Sequence, residues 1–171
     1  DELVIEQKGI YSVEKFLIAR RLMYWQVYLH KTGLVAENIL VNVLKRAKEL
    51  AGKNIELHCS TALKYFLYKP ISSNNFTEET LEMFSKLDDY DVLSAVKEWV
   101  NHDDKILALL SKMIVDRKLL RIEMQQGVFK DAYIAKKKNK VMKKLNISEN
   151  EVNYFVFNQE ISNQAYSFKT P

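Results

Sequence analysis

The sequence predicts a mainly α protein: a helical body with a small α+β appendage at the C-terminal end. Three observations lead there. Apolar residues recur at helical spacing through most of the first 117 positions, capping residues stand before those runs, and alternation of the strand kind sets in only afterwards. We therefore divide the chain into a helical body over 1–117, opened by a short strand, and a mixed appendage over 118–171 that reads as truncated. With 47% hydrophobic residues but four Gly and two Pro, the 171 residues supply one core and little linker.

Taken in order, Leu3 to Gln7 is a strand candidate turned by Gly9, and Ser12 is placed to cap a helix that runs to Lys31. Thr32 and Gly33 interrupt that pattern. Leu34, Ile39, Leu40, Val43, Leu44, Ala47 and Leu50 then form the stripe of a second helix, stopped by Gly52. A third helix is expected from Leu57 to Tyr68, with Pro70 beyond its end. Ser72 to Asn75 is a loop, Thr77 caps a helix reaching Leu87, and an aspartate within residues 87–91 caps another from Val92 to Val100.

Asp103 is the expected N-cap of the next helix, whose stripe is Ile106, Leu109, Leu110, Met113 and Ile114 and which ends near Arg117. Leu119 to Met124 and Asn153 to Phe157 carry the alternation and aromatic content of strands. Between them lie a lysine-rich helix around 136–145 and a capping box from Ser148 to Glu151. Gln164 to Phe168 is expected to pair back on Tyr154 to Phe157.

The most informative stretch is Ile18 to Lys31. As a regular helix it places Arg20, Tyr24, Tyr28 and Lys31 within about 80° of one another, surrounded by Phe16, Leu17, Leu22, Met23, Trp25, Val27 and Leu29. A helix apolar on most faces is normally buried. Burying Arg and Lys costs several kcal/mol unless an anion meets them, so the stripe needs a partner. Internal carboxylates such as Glu14, Asp88, Asp89 and Asp91 are one candidate; a phosphate-bearing ligand is the other.

Composition narrows the classes further. One cysteine, Cys59, excludes an internal disulfide framework and suits a reducing, cytoplasmic setting. No apolar run approaches the ~20 residues that span a bilayer, so no membrane partner is expected. The net charge of +4 is mild. Its local excess, Lys136, Lys137, Lys138, Lys140, Lys143 and Lys144, alternates with Tyr133, Ile134, Val141, Met142 and Leu145, which reads as an amphipathic helix with a solvated lysine face. Nucleic acid is not the expected partner, because no aromatic side chains interleave those lysines. His58 reads as structural.

The spacing of Arg20, Tyr24, Tyr28, His30 and Lys31, preceded by residues 1–5 and 11–16, resembles the mid-chain segment of HD-domain deoxynucleoside triphosphate triphosphohydrolases. The likeness continues through Asn101, His102, Asp103 and Lys105 to Arg117 and Leu120. What this resemblance implies is the later part of a metal-dependent phosphohydrolase domain. Its substrate is a (deoxy)nucleoside triphosphate, bound through Arg20, Tyr24, Tyr28, His30 and Lys31. Arg20 and Lys31 would hold phosphate oxygens, Tyr28 would pack near the sugar, and His30 would lie at the pocket edge.

The family's divalent metal is bound by histidines and aspartates that would precede residue 1. No catalytic residue and no metal ligand is therefore expected in this chain, which reads as an inactive fragment of a cytoplasmic, homo-oligomeric enzyme. His102 and Asp103 form the only His-Asp pair and stand in the wrong place for the metal. Tyr24 departs from relatives that carry histidine there. Val4 and Glu6 stand where effector-regulated members carry a basic residue, which removes support for that control. The alternative function is a non-catalytic helical interaction or scaffold module.

Overall fold

The structure, a computed structural model, describes residues 4–159. Among them are seven α-helices: α1 (Ile10–Met23), α2 (Lys31–Gly52), α3 (Thr61–Tyr68), α4 (Glu78–Ser85), α5 (Asp89–Trp99), α6 (Lys105–Val115) and α7 (Asp131–Leu145). A π-helical segment, Tyr24–Tyr28, follows α1, and short 3-10 turns occupy Gln7–Gly9, Ser73–Asn75 and Glu151–Tyr154. The described residues divide into two compact units, 4–34 with 158–159, and Val35–Phe157.

The core of the second unit is organised on α2. Val35, Ile39, Val43, Ala47 and Leu50 lie along one face and are buried, as the four-residue spacing dictates. Leu63 and Leu67 of α3, Ala95, Val96 and Trp99 of α5, and Ile106, Leu107 and Leu110 of α6 close around them. Full burial of each large side chain is worth about 1.5–3 kcal/mol. Phe155, in the last described turn, packs on the same cluster, joined at its margin by Leu119, Ile122, Val141 and Leu145. The stretch expected as an appendage thus shares this core through residue 157.

Capping accounts for most helix starts. Ser60, Thr77 and Asp88 accept from backbone N–H groups of α3, α4 and α5, and Asp88 with Asp91 forms a capping box. Ser148 and Glu151 make the expected box before the last 3-10 turn. Asn146 ends α7 in the left-handed region at φ 50°, with Ile147 N donating back to Met142 O.

The first unit differs in kind. No residue of α1 or of the π-helical segment is buried. Phe16, Ile18, Trp25 and Val27 are each more than half exposed.

Several expectations are corrected. No strand occurs among the described residues, so from 118 to 159 the expected α+β appendage is not found: residues 118–125 are irregular and Glu151–Tyr154 is a 3-10 turn. Alternation alone does not make a strand, because each strand needs a partner to satisfy its backbone N–H and C=O groups. Here Leu119, Leu120 and Ile122 lean on the helical core instead. Residues 4–6 are likewise not a strand; Leu3 and the expected pairing strand from Gln164 to Phe168 lie outside the described residues.

Ser12 is not a cap, since α1 starts after Gly9. The cap of α6 is Asp104, one residue past Asp103, accepting from Leu107 N at 2.9 Å. Leu57 is buried but not helical, and α3 starts four residues later. Gly33 lies inside α2, and the interruption falls at Leu29 and His30. No helix among the described residues is long and apolar enough to cross a membrane.

Candidate functional site

The arm that carries the expected site residues is set by a change of helical pitch. Leu29 N donates to Tyr24 O at 2.8 Å, a five-residue return that widens the last turn and ends the helix at Leu29. Turns of this kind recur at functional positions. One consequence is that Lys31 does not continue the Arg20 stripe; it opens α2.

Arg20, Tyr24 and Tyr28 do come together. The Arg20 guanidinium carbon lies 5.6 Å from the centre of the Tyr24 ring, and the Tyr24 and Tyr28 rings are 5.1 Å apart at a tilt of 48°. Tyr24 is half-buried, while Arg20 and Tyr28 are exposed. Arg20 makes no ion pair with another described residue, and the aspartates near residue 90 are engaged elsewhere: Asp88 and Asp91 cap α5. The guanidinium thus lies against an aromatic face, a favourable place for a cation.

His30 is exposed, and its Nδ1 accepts from Thr32 N at 3.3 Å, so the imidazole serves as the cap of α2. That bond places the ring N–H on Nε2, the side away from the helix. Lys31 is exposed, with no ion pair among the described residues.

Nothing in the described donor set suits a catalytic divalent metal. No group of three or more His, Cys, Asp or Glu side chains converges among these residues. The His102 and Asp103 pair is occupied locally: His102 Nδ1 accepts from Asp104 N at 2.9 Å and its Nε2 faces Glu56 O at 3.4 Å, while Asp103 is exposed. His58 is exposed as well.

Two clusters in the second unit were not anticipated. The first is an ionic clamp. Arg46, on α2, donates to both Asp104 oxygens, to Glu49 at 3.2 Å, and stands 5.8 Å from the Tyr154 ring. Glu49 also accepts from the Tyr154 hydroxyl. The hydrogen bond to Asp104 raises the Arg46 pKa, against a lowering by burial. Burial alone would push the Asp104 carboxyl up, but its bonds to Arg46 and Leu107 N leave it below the usual carboxylate range. Its partners are 58 residues apart in sequence, which no local pattern reports.

The second cluster is a groove of about 560 Å³ lined by Cys59, Thr61, Lys64, Tyr65, Tyr68 and Lys69. The signal for it was available in the spacing of 61, 64, 65 and 68, which marks one face of a helix. Cys59, half-buried beside it, has its thiol pKa pushed up by burial.

Comparison with known proteins adds the following. Residues 1–61 match the family described as HD associated region. The protein YwfO of Bacillus subtilis is 32% identical over 123 residues, covering 71% of this chain and 26% of that protein. The protein MJ1154 of Methanocaldococcus jannaschii is 34% identical over 122 residues, covering 63% of this chain and again 26% of the relative. The chain therefore spans about a quarter of the length of these curated relatives. The crystal structure of the phosphohydrolase BT4208 from Bacteroides thetaiotaomicron superposes with a TM-score of 0.87 at 45% identity, covering 90% of this chain and 39% of that one.

Proposed function

This chain is related to the HD-domain phosphohydrolases, and on that premise we propose that it forms the triphosphate-holding part of such an enzyme, acting on (deoxy)nucleoside triphosphates. The observation that carries the proposal is the Arg20, Tyr24 and Tyr28 stack, in which a guanidinium on an exposed helix lies over a ring and makes no ion pair among the described residues. In this reading Arg20 forks two phosphate oxygens, which a planar guanidinium does better than an ammonium. The Tyr28 ring packs against the sugar. His30, turned by its bond to Thr32 N, offers its Nε2 donor at the rim, and Lys31 adds a mobile positive charge.

The described residues do not fit a divalent metal, so no step is assigned to one here. In this proposal the metal ligands belong to a part of a longer cytoplasmic enzyme outside these 171 residues, and the exposed apolar arm packs against that part or against a second copy. The exposure of Phe16, Trp25 and Val27 also suits the second reading, a non-catalytic helix that docks a protein partner.

Hydrolysis of dGTP by the longer enzyme separates the two. Arg20→Ala and Lys31→Ala should each lower kcat/KM by about 30-fold to 1000-fold, the worth of one charge-assisted contact of roughly 2 to 4 kcal/mol in a dry site. Arg20→Lys should recover only part of the loss. Activity that stays near wild type in Arg20→Ala, or that falls only in step with folded protein, would leave the docking module as the better account.

A further inference from the structure

The groove along α3 has no part in the reading above, and its lining sets two tyrosine rings beside two lysines. Thr61, Lys64, Tyr65 and Tyr68 follow at intervals of three, one and three residues, so they share one face of α3, and Lys69 completes the row. Both rings are fixed at their tips. The Tyr65 hydroxyl is 3.0 Å from Thr80 Oγ1, and the Tyr68 hydroxyl donates to Ile55 O at 2.7 Å and accepts from Leu57 N at 3.0 Å. The hydroxyls being spent, what the tyrosines present to the groove is ring surface.

Cations lie beside these rings. Lys69 Nζ is 3.9 Å from the centre of the Tyr65 ring and Lys64 Nζ is 5.6 Å from that of Tyr68. Lys69 is partly balanced by Glu79 at 3.4 Å; Lys64 is exposed and makes no ion pair among the described residues. A third lysine, Lys48, is spent on the carbonyls of Phe66 and Lys69, so it stiffens the end of α3 and contributes positive charge behind the groove.

We propose that this groove binds a flat aromatic phosphomonoester of nucleoside monophosphate size. The phosphate would sit between the Lys64 and Lys69 ammonium groups. As Lys64 leaves the Tyr68 ring for that phosphate, the ring face it releases takes the aromatic part by stacking. The groove is open to solvent, and its volume of about 560 Å³ leaves room for a ligand of this size. The site uses none of Arg20, Tyr28, His30 or Lys31, and it does not depend on the phosphohydrolase reading.

The test is titration of the purified chain with AMP, followed by backbone amide NMR shifts, with adenosine and inorganic phosphate as separate arms. Saturable AMP binding with shifts centred on α3 is expected, with each of the other two at least about tenfold weaker. Lys64→Gln with Lys69→Gln should weaken AMP by about tenfold or more without changing the melting temperature, since both side chains are exposed. Lys64→Gln alone serves if the pair fails to fold. Arg20→Ala should leave AMP affinity unchanged. Absence of saturation up to about 10 mM, phosphate or adenosine binding as tightly as AMP, loss of AMP binding in Arg20→Ala, or no effect of the lysine changes would overturn the proposal.

Discussion

Arg46 and Asp104 meet through two parallel hydrogen bonds, Nε to Oδ1 at 3.0 Å and Nη2 to Oδ2 at 2.7 Å, and the same Oδ1 accepts from Leu107 N to cap α6. One carboxylate therefore anchors the start of α6 to the middle of α2. Glu151 stands 3.9 Å from the same guanidinium, and Tyr154 covers its face, which ties in the last 3-10 turn.

Breaking this clamp should cost more than breaking a surface pair. The Arg46 and Asp104 side chains are only 12% and 16% exposed, so removing one strands the other charge. Asp104→Ala is expected to lower unfolding free energy by about 2–4 kcal/mol, including the lost cap. Arg46→Met, which keeps the volume, should leave Asp104 without its charge partner and destabilise by a similar amount. Urea denaturation of each variant measures this. A loss under about 0.5 kcal/mol would mean that the pair behaves as a solvated one.

Acid stability follows from the direction of the Asp104 shift. Its pKa is lower in the folded chain than in the unfolded one, because the Arg46 bonds overcome burial. The contribution is then present above the unfolded value of about 3.9 and fades as pH falls through the folded value. Glu151, held by its bonds to Ser148, shifts the same way. Thermal melts should show a gap between wild type and Asp104→Asn that is constant from about pH 8 to 5 and shrinks below about pH 4.

Tyr154 makes the opposite prediction. Burial and the Glu49 hydrogen bond push its phenol up to about 12. A raised folded value gives stability that is complete below the unfolded value of about 10 and is lost as pH rises through the folded one. In absorbance titration near 295 nm, a tyrosine should ionise late in the native chain, and Tyr154→Phe should remove that late component. Its persistence in the variant would assign it to another residue.

The exposed face of α1 and the π-helical segment should drive self-association of the isolated chain. Leu22 and Trp25 are 51% and 56% exposed, and Phe16, Ile18 and Val27 are each more than half exposed; clustered apolar exposure of this kind marks association surfaces. Leu22→Glu with Trp25→Glu should shift the light-scattering mass toward the monomer while leaving the melt of the Val35–Phe157 unit in place. A wild-type chain that is monomeric at about millimolar concentration would remove the basis for this expectation.

The local rules reached far into this chain. The stripe of α2, the cap Thr77, a capping aspartate within residues 87–91 (Asp88 in the structure), the Ser148 to Glu151 box and the helical character of the body were all legible, because each depends on residues within a turn or two of one another. The shared face of Arg20, Tyr24 and Tyr28 depends on the same local spacing; Arg20 lies over the Tyr24 ring, which lies against Tyr28. What local pattern misread was decided by pairing across distance. Leu119 to Met124 alternates as a strand does, but a strand exists only if a second one supplies its hydrogen bonds, and its apolar side chains found the α2 core first.

The π-helical turn that separates Lys31 from Arg20 uses five-residue returns such as Leu29 N to Tyr24 O, which periodicity read at a constant 100° has no means to register. The Arg46 clamp likewise joins residues 58 apart, whose proximity is a product of packing, whereas the α3 groove lines one local helix face. Sequence by itself determined the helices and the chemistry on their faces. Tertiary structure alone decided which faces were covered and which stayed open to a ligand, since burial depends on what the rest of the chain brings to each face.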